Sequence, residues 1–551
     1  MLRKGRRHLG RYSEIAGVLA RHGWGWMLDR IGIGEHLKVK PGAQVPQIAP
    51  AHIREILEEL GPTFVKLGQL LSIRPDVVPQ PYIVELSKLQ DAAPALPVEV
   101  VRAVIESELE APVSDLFREF EDVPLAAASL AQVHSATLHD GTHVIVKVQR
   151  PDIRDQVETD IEILYKRARF LEGHWEKART YGFTDIVDEF ALTIREELDF
   201  TCEARNTDRL REITSGEKGI RVPRVYWDLT TGKVLTLEMM RGAKITEVLE
   251  RPPGKINRKN VAAVLAGSFL EQVFVDGFFH ADPHPGNVLV TDEGEIQLVD
   301  CGQVGRLDAE TRAGAVRLLM AFGQQDTRVF AGEILDLGIA QEDVDVRRLT
   351  RDLGKVLRGY YDLPSRSVNF GAILTRTLDI SADHKIRLPA NFAVLGKVFA
   401  NVDAICSRLD PDFNFTEIAR GYVGKAVRKE LSSESGLAEI YRTMAGLRHF
   451  LLALPEHLDR LIRKAVEGTL RIEFKHHGLE DVSNNLRSSA NRVAIALIVG
   501  ASIIGSSLVA TLSKGPTSWF GLPTLGIIGY LIAMFFGTWL IISIIRSGRH
   551  K

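Results

Sequence analysis

Residues 278–302 constrain the fold of this chain more than any other segment; they read FFHADPHPGNVLVTDEGEIQLVDCG. Two short strand patterns flank the turn signal Asp-Glu-Gly at 292–294, which predicts a β-hairpin. Asp282 and Asn287 precede this hairpin and Asp300 follows it, so closing the hairpin brings these polar groups together. Carboxylates held this close repel each other unless a cation lies between them, and oxygen ligands suit Mg²⁺ that holds a phosphate. The sequence therefore predicts a metal and phosphate site at the polar ends of the hairpin.

Composition limits the classes of protein to which this chain can belong. Its 551 residues exceed one compact core and predict about two to four domains. With 45% apolar and 25% charged residues, the chain has the composition of a globular protein. The net charge of −2 argues against a nucleic-acid coat protein, whose affinity depends on neutralising phosphates, so we expect no nucleic-acid partner. Cys202, Cys301 and Cys406 are widely spaced and provide neither a disulfide framework nor a CxxC metal site.

A lysine interrupts an apolar strand pattern upstream of that segment. Asp140-Gly141 is a hairpin turn signal, and residues 143–149 then alternate, with valines on one face and Lys147 on the other. Residues 184–205 have the spacing of one long helix. That helix carries three acidic residues: Glu197, Asp199 and Glu203.

The C-terminal end of the chain indicates a membrane, whereas the basic N-terminal stretch fits either a membrane-surface helix or a solvated helix start. Residues 493–512 and 525–545 contain no charge, and each has about the 20 residues that a helix needs to cross a bilayer. Arginines and lysines flank the pair while the connection carries only Lys514, so the positive-inside rule predicts a transmembrane hairpin with both flanks in the cytoplasm. Residues 1–45 begin with a basic stretch that lacks the continuous apolar core of a secretory signal, so we expect it to be uncleaved.

Several motifs, in order, resemble one protein family. Asp282 and Asn287 have the D-x-x-x-x-N spacing of the protein-kinase catalytic loop, and the DCG at 300–302 is similar to the DFG element with Cys for Phe. Lys147 in VIVKVQ resembles the lysine of kinase strand three. Three further segments resemble the UbiB family of atypical kinases, also called AarF-domain or ADCK kinases. These are KLGQ at 66–69, AAASLAQVH at 126–134 and ELDFTCEARN at 197–206. The resemblance covers roughly residues 45–430, and the paired C-terminal apolar segments resemble the bacterial members.

The resemblance implies an α+β fold: an atypical protein-kinase-like, two-lobed domain with an N-terminal helical extension and a C-terminal transmembrane helical hairpin. We expect five regions in chain order. They are a basic N-terminal segment (1–45), a helical extension with the KxGQ motif (46–115), the kinase-like domain (116–430), an amphipathic helical linker (431–490) and the transmembrane hairpin (491–551).

The resemblance also implies a role for each motif residue. Lys147 would contact the α and β phosphates of ATP and pair with Glu203, while Asp282 would be the catalytic base. Asn287 and Asp300 would hold Mg²⁺. At the end of a strand at 235–240, the backbone of Glu238 and Met239 would receive adenine. An alanine-rich loop would replace the glycine-rich loop over the phosphates: Leu125, Ala126, Ala127, Ala128, Ser129, Leu130, Ala131, Gln132 and Val133.

The departures from ordinary protein kinases disfavour a protein as the substrate. By the resemblance, Lys66 and Gln69 reach over the active site to Glu197 and Asp199 and fill the space of a protein substrate. After residue 302 the chain lacks an APE element and has little room for an activation loop.

We therefore expect a Mg-ATP-dependent atypical kinase or ATPase that supports ubiquinone, or another isoprenoid quinone, biosynthesis at the bacterial inner (cytoplasmic) membrane. We expect it to act on or extract lipid precursors rather than to phosphorylate proteins. Its partners would be membrane lipids, polyprenylated precursors and other enzymes of quinone biosynthesis, with the kinase-like domain facing the cytoplasm. A non-catalytic, nucleotide-binding membrane scaffold for such enzymes is the alternative.

Overall fold

A computed structural model of the chain describes most of its residues. The described ranges are 2–22, 49–72, 74, 77–89, 93–174, 179, 182–250, 254, 256–340, 343–361, 370–432, 479–512 and 524–547. The chain divides into two compact units, Met1–Glu439 and Ile440–Lys551. Most of the predicted amphipathic linker, and the second half of the predicted basic N-terminal segment, lie outside the described residues.

The described helices and strands are numbered here in chain order. The helices of the first unit are α1 (Leu2–Arg21), α2 (Pro50–Leu60), α3 (Pro62–Leu71), α4 (Gln80–Leu86), α5 (Val98–Leu109), α6 (Val113–Leu116), α7 (Ile153–His174), α8 (Phe183–Glu197), α9 (Phe200–Thr214), α10 (Ile245–Glu250), α11 (Arg258–Leu270), α12 (Ala309–Gly323), α13 (Thr327–Leu337), α14 (Val346–Tyr361), α15 (Phe370–Asp383), α16 (Ala390–Leu409) and α17 (Phe415–Ser432). Those of the second unit are α18 (Leu479–Leu512) and α19 (Thr524–Ser547). The strands are β1 (Glu119–Phe120), β2 (Ala126–Ala127), β3 (Ala131–Thr137), β4 (His143–Gln149), β5 (Ile220–Arg221), β6 (Val234–Glu238), β7 (Ala243–Lys244), β8 (Phe278–His280), β9 (Val288–Val290), β10 (Ile296–Leu298), β11 (Val304–Arg306), β12 (Ile339–Ala340) and β13 (Ile386–Arg387).

Helices α1 to α3 pack against α7 through an apolar cluster. Ile15, Ile56 and Phe64 are buried in it, one from each of the three helices. Arg11 of α1 donates to the buried carboxylate of Asp160 on α7 at 2.7 Å. The first part of the basic N-terminal segment is therefore an integral helix of this unit.

The antiparallel sheet in the first half of the unit has the order β1-β3-β4-β6, with β2 paired to β3. The predicted hairpin at 140–141 is present, and it joins β3 to β4 in a register that pairs Val133 with Lys147. Alternation along β4 buries Val144, Val146 and Val148 and turns Lys147 to the opposite face, as the sequence predicts.

The prediction of one helix over residues 184–205 is wrong. Helix α8 ends at Glu197 and α9 begins at Phe200, with Asp199 between them in an extended conformation. The Asp199 carboxylate accepts hydrogen bonds from the backbone N–H of Thr201 at 3.0 Å and from its hydroxyl at 2.8 Å. Aspartate is a favoured N-cap residue, so it starts a new helix here and separates the two acidic groups at 197 and 203.

The second half of the unit is mainly helical and surrounds α11. Phe269 of α11 is fully buried, and the ring of Phe399 on α16 packs against Phe274 and Phe415. Two small sheets, β5-β10-β9-β7 and β8-β11, lie beside this core. The predicted hairpin of residues 278–302 is present as β9 and β10, and Gly294 in its turn has φ +88°.

The second unit contains the predicted pair of C-terminal helices. The two helices pack so closely where Gly529 meets Ser506 that a Cβ at position 529 would overlap the serine hydroxyl. Many of their apolar side chains are exposed, among them Leu497, Ile504 and Phe535. Within the part of the chain that the structure describes, no helix is long and apolar enough to cross a membrane, so the transmembrane character of the hairpin is not supported.

Candidate active site

Lys147 forms the centre of a charged cluster. Its Nζ lies 2.8 Å from Oε2 and 3.1 Å from Oε1 of Glu203 on α9. The Lys147 side chain is 22% exposed and that of Glu203 is 7% exposed, so the pair lies largely away from solvent. A bidentate contact of this kind fixes the direction of the ammonium group. The structure thus joins the strand-borne lysine and the third acidic residue of the ELDFTCEARN segment.

Asp300 reaches the same ammonium group from the end of the β9–β10 hairpin. Its Oδ1 lies 3.7 Å from Lys147 Nζ, and the side chain is 56% exposed. Its backbone has φ +57°, a left-handed conformation that is uncommon outside glycine and often marks functional sites. The next residue, Cys301, is fully buried, whereas Asp300 turns its carboxylate toward the open side of the cluster. An exposed carboxylate beside a fixed ammonium is suited to bind a metal-bound phosphate.

The charges of this cluster shift one another's pKa. Burial alone would lower the pKa of Lys147, but the negative charges of Asp300 and Glu203 outweigh it and raise that pKa. Burial raises the pKa of Glu203, while the charge of Lys147 acts in the opposite direction. The Lys147 charge lowers the pKa of Asp300. At neutral pH the cluster therefore presents a protonated lysine and an ionised aspartate.

Asp282 and Asn287 are held together by the loop between β8 and β9. The Asn287 amide donates to the Asp282 carbonyl oxygen at 3.2 Å. The buried ring of His280 accepts from the Asp282 backbone N–H through Nδ1 at 3.1 Å, so its Nε2 carries the proton that points to the Val299 carbonyl oxygen at 3.4 Å. Burial lowers the pKa of His280, which keeps the ring neutral. This histidine therefore ties the predicted base to the residue that precedes Asp300.

Lys397 is a site residue that the sequence reasoning missed. It lies on α16, and its Nζ is 2.9 Å from Asp282 Oδ1. Asp282 is separated from Lys397 by more than a hundred residues, and no local pattern links the two positions.

The alanine-rich loop, residues 125–133, is a tight structure on the edge of the sheet. The Ala128 N–H donates to the Ala131 carbonyl oxygen at 2.8 Å, which closes a turn between β2 and β3. Arg150, also missed from the sequence, donates from Nε to the Ala128 carbonyl oxygen at 2.8 Å and from its terminal nitrogen to that of Pro94 at 2.5 Å. The guanidinium group of Arg150 therefore holds the turn of the alanine-rich loop in place. Alanine also permits less backbone freedom than glycine would.

The KLGQ segment lies on α3, on one side of the cluster. Lys66 forms an ion pair with Glu197, and its positive charge adds to the lowering of the Asp300 pKa. Gln69 donates to the Leu89 carbonyl oxygen at 3.1 Å, while Asp199 caps α9. The structure thus joins two of the four residues predicted to cover the site, Lys66 and Glu197, by an ion pair, and their role as a cover stays a prediction.

The predicted adenine-binding residues lie where β6 ends. The Glu238 carboxylate accepts from Arg221 at 2.5 Å and from the Arg224 backbone N–H at 3.2 Å. The Met239 N–H donates to the His143 carbonyl oxygen at 3.1 Å. Both residues therefore belong to the edge of the sheet that carries Lys147, and their role in binding adenine stays a prediction.

Comparison with known proteins finds three matching family models. The ABC1 atypical kinase-like domain matches residues 88–332, the UbiB helical domain matches 353–414, and the ABC1/UbiB kinase-like C-terminal domain matches 477–546. The first of these models indicates a kinase-like fold, which agrees with the predicted fold class.

Named relatives span most of the chain. Protein sll1770 of Synechocystis is 34% identical over 77% of this chain and 73% of its own length. A protein named probable protein kinase UbiB from Azotobacter vinelandii is 30% identical over 90% of this chain and 89% of its own length. Protein ACTIVITY OF BC1 COMPLEX KINASE 7, chloroplastic, from Arabidopsis thaliana is 32% identical over 83% and 66%. A solved structure of Rv3197 with erythromycin from Mycobacterium tuberculosis aligns with a TM-score of 0.46 at 25% identity, over 64% of this chain and 90% of that one.

Proposed function

Since this chain belongs to the ABC1/UbiB family of atypical kinase-like proteins, we propose that it binds Mg-ATP and transfers the γ-phosphoryl group to water or to a small molecule. The observation that carries this proposal is that two carboxylates converge on the ammonium group of Lys147. Glu203 Oε2 lies 2.8 Å and Asp300 Oδ1 lies 3.7 Å from Lys147 Nζ. A half-buried lysine that is fixed by one carboxylate and adjoins a second, exposed one is an arrangement suited to metal-bound phosphates.

Each residue of the candidate site has a distinct chemical task in this proposal. Lys147, fixed by Glu203, donates hydrogen bonds to the non-bridging oxygens of the α and β phosphates. The oxygens of Asn287 and Asp300 fit Mg²⁺, which prefers hard oxygen ligands and would neutralise charge on the β and γ phosphates. The Asp282 carboxylate accepts the proton of the attacking hydroxyl group or water. His280 keeps the Asp282 backbone in place through its Nδ1.

Two features favour a small acceptor over a protein chain. Helix α3 lies beside the cluster and is joined to α8 by the ion pair between Lys66 and Glu197. Arg150 donates a hydrogen bond to the loop at 125–133, and this loop has alanines in place of glycines, so we expect it to be stiffer than a glycine-rich loop. These contacts support an ATPase or a small-molecule kinase. By the family resemblance, we propose that this activity supports ubiquinone or another isoprenoid quinone biosynthesis.

We place the activity at the inner membrane, with the kinase-like unit in the cytoplasm. Both helices of the second unit expose apolar side chains, such as Leu497 and Ile504 on α18 and Met534 and Phe535 on α19. Exposed apolar surface of this extent marks a contact with lipid or with another protein. Polyprenylated precursors partition into bilayers, so a lipid-associated hairpin would bring the phosphoryl-transfer site to them. Neighbouring enzymes of the same pathway are the protein partners that we propose.

Substitution of Asp300 by Asn tests the proposal against the scaffold alternative. Asparagine tolerates the left-handed backbone, so the change removes charge while the fold is kept. We expect purified D300N to lose at least about a hundredfold in Mg-dependent release of phosphate from ATP, measured with liposomes present. Asp292→Asn, in the exposed turn of the same hairpin, is the matched control. If cells with folded, membrane-bound D300N still make quinone at the normal rate, the scaffold alternative is correct.

A further inference from the structure

An ammonium group from the helical part of the unit lies at the predicted base. Lys397 Nζ is 2.9 Å from Asp282 Oδ1, and the two side chains are 38% and 28% exposed. Among the described residues, Lys397 is the cation that forms an ion pair with Asp282. Both groups are thus partly exposed and accessible to a ligand.

The loop that carries Asp282 has no cation of its own. Residues 281–287 are Ala-Asp-Pro-His-Pro-Gly-Asn, without lysine or arginine. The ring of His284 accepts from the Gly286 N–H at 3.0 Å through Nδ1, so this histidine caps the turn within the loop. A phosphoryl group that moves toward an acceptor next to Asp282 therefore meets no positive charge from the loop.

The two other lysines of the candidate site pair with carboxylates that are not the predicted base. Lys147 is fixed by Glu203, and Lys66 is paired with Glu197. Charge spreads over the three equatorial oxygens of the transferred phosphoryl group in the transition state, and a cation placed there gives large rate effects in phosphoryl-transfer enzymes. Lys397 is the lysine whose partner is the predicted base itself.

The backbone of Lys397 is held in place by its neighbours, while its long side chain can adopt several conformations. The adjacent residues Val398 and Phe399 are fully buried, and the Phe399 ring packs against Phe274 and Phe415. The backbone of α16 is therefore anchored, while a four-carbon stem with rotatable bonds lets the ammonium move between two nearby oxygens.

We propose that Lys397 is a catalytic residue that donates a hydrogen bond to a γ-phosphoryl oxygen when ATP is bound, leaving Asp282 free to accept the acceptor's proton. This inference rests on the proposed function. The acceptor oxygen bonds to the γ-phosphorus while the bond to the β–γ bridging oxygen breaks, with its electron pair going to ADP. The acceptor's proton goes to Asp282, and Lys397 stays protonated throughout. The region that matches the UbiB helical domain, 353–414, would then supply part of the active site.

Substitution of Lys397 by Met tests this role through ligand discrimination. With purified full-length protein and Mg²⁺, we expect K397M to weaken binding of a non-hydrolysable ATP analogue by roughly tenfold or more, the effect of one lost charge-assisted hydrogen bond. Binding of ADP, which lacks the γ-phosphate, should change less than about twofold. ATP turnover should fall roughly ten- to a hundredfold, and K397R should restore part of it. The matched control is Lys425→Met, which removes an exposed helical lysine paired with Glu271.

The outcomes separate this inference from the proposed function. Equal weakening of the ATP analogue and ADP, or unchanged turnover in K397M, overturns the role of Lys397 while the proposed function stands. A wild-type chain that neither binds nor hydrolyses ATP overturns both. The D282N background gives a further check, because K397M should still reduce the preference for the ATP analogue over ADP there. Loss of that effect would mean that Lys397 acts only through Asp282.

Discussion

Lys147 Nζ lies 2.8 Å from Glu203 Oε2, which joins strand β4 to helix α9 across the centre of the candidate site. The carboxylate is 7% exposed, so it depends on this partner for compensation of its charge. The contact fixes the direction of the ammonium group, which in the proposed function faces the phosphates, and it contributes to stability.

Replacement of Lys147 by Met tests whether this largely buried ion pair contributes more to stability than an exposed ion pair does. The change leaves the Glu203 carboxylate buried without its cation, and we expect a loss of about 3 kcal/mol in the free energy of unfolding together with loss of ATP binding. Chemical denaturation and calorimetry measure the two effects. Lys233→Met, which breaks the exposed ion pair with Glu108, should cost less than about 1 kcal/mol. Equal stabilities of K147M and K233M would contradict this account of the pair.

Replacement of Gly302 by Ala tests the packing behind Asp300. A Cβ at this position would lie 3.3 Å from Asp300 Oδ1 and 3.5 Å from Glu203 Oε2. We expect Mg-dependent ATP turnover to fall roughly ten- to a hundredfold, because a small misplacement of catalytic groups is costly. The melting temperature should stay close to that of the wild type. Gly332→Ala on α13, where a Cβ meets open space, is the control and should leave turnover unchanged.

Asp403 on α16 predicts a specific pH dependence of stability. This carboxyl group is buried, and burial raises its pKa to about 6. Its pKa in the unfolded chain is close to 4, so the folded state binds the proton more tightly. Stability from this group is therefore fully present below about pH 4 and is lost as the pH rises through about 6, by roughly 2 to 3 kcal/mol.

The substitution Asp403→Asn isolates this effect. The difference in the free energy of unfolding between wild type and D403N should change between pH 4 and 6 and be constant above pH 7. Chemical denaturation across pH 4 to 8 gives this difference directly. Glu217, whose pKa burial raises to about 7, titrates in both proteins and cancels in the comparison. A difference that does not depend on pH would show that Asp403 titrates normally.

The exposed apolar face of α18 predicts lipid binding. Leu497, Ile504 and Leu508 are exposed on it, and changing each to Asp replaces apolar area that would contact lipid with a charge. We expect the triple variant to remain unbound in a liposome flotation assay in which the wild type floats.

Three exposed apolar residues of the first unit give the matched control for flotation. Val123, Val329 and Ile339, all changed to Asp, should leave flotation unchanged. If the triple variant of α18 floats like the wild type, this face does not contact lipid. The fold of each variant is checked by circular dichroism.

Local sequence patterns were sufficient for elements whose residues are close together in the chain. The turn signals at 140–141 and 292–294 predicted both hairpins, because glycine supplies the positive φ that tight turns require. Alternation along β4 placed Lys147 opposite its valines, since successive side chains of a strand point to opposite faces. These periodic and turn signals do not depend on the rest of the molecule.

Contacts between distant segments left no such signal. Lys397 and Arg150 act on Asp282 and Ala128 through tertiary packing, and neither lies in a motif that the sequence marks. The break before α9 was missed because the apolar spacing of 184–205 continues through it, while the competing N-cap of Asp199 is a single-residue signal. The motif residues at 147, 203 and 300 were found because a family pattern carries the tertiary information that periodicity lacks.

The short link between α8 and α9 connects two ion pairs of the candidate site. Glu197 ends α8 and holds Lys66 of the KLGQ helix, and Asp199 begins the helix that carries Glu203. Leu198 and Asp199 alone separate the two helices, so the carboxylate that pairs with Lys66 lies close in the chain to the one that pairs with Lys147. In the proposed function, a molecule that binds between Lys66 and Glu197 would therefore lie beside the start of the helix that orients the phosphate-binding lysine.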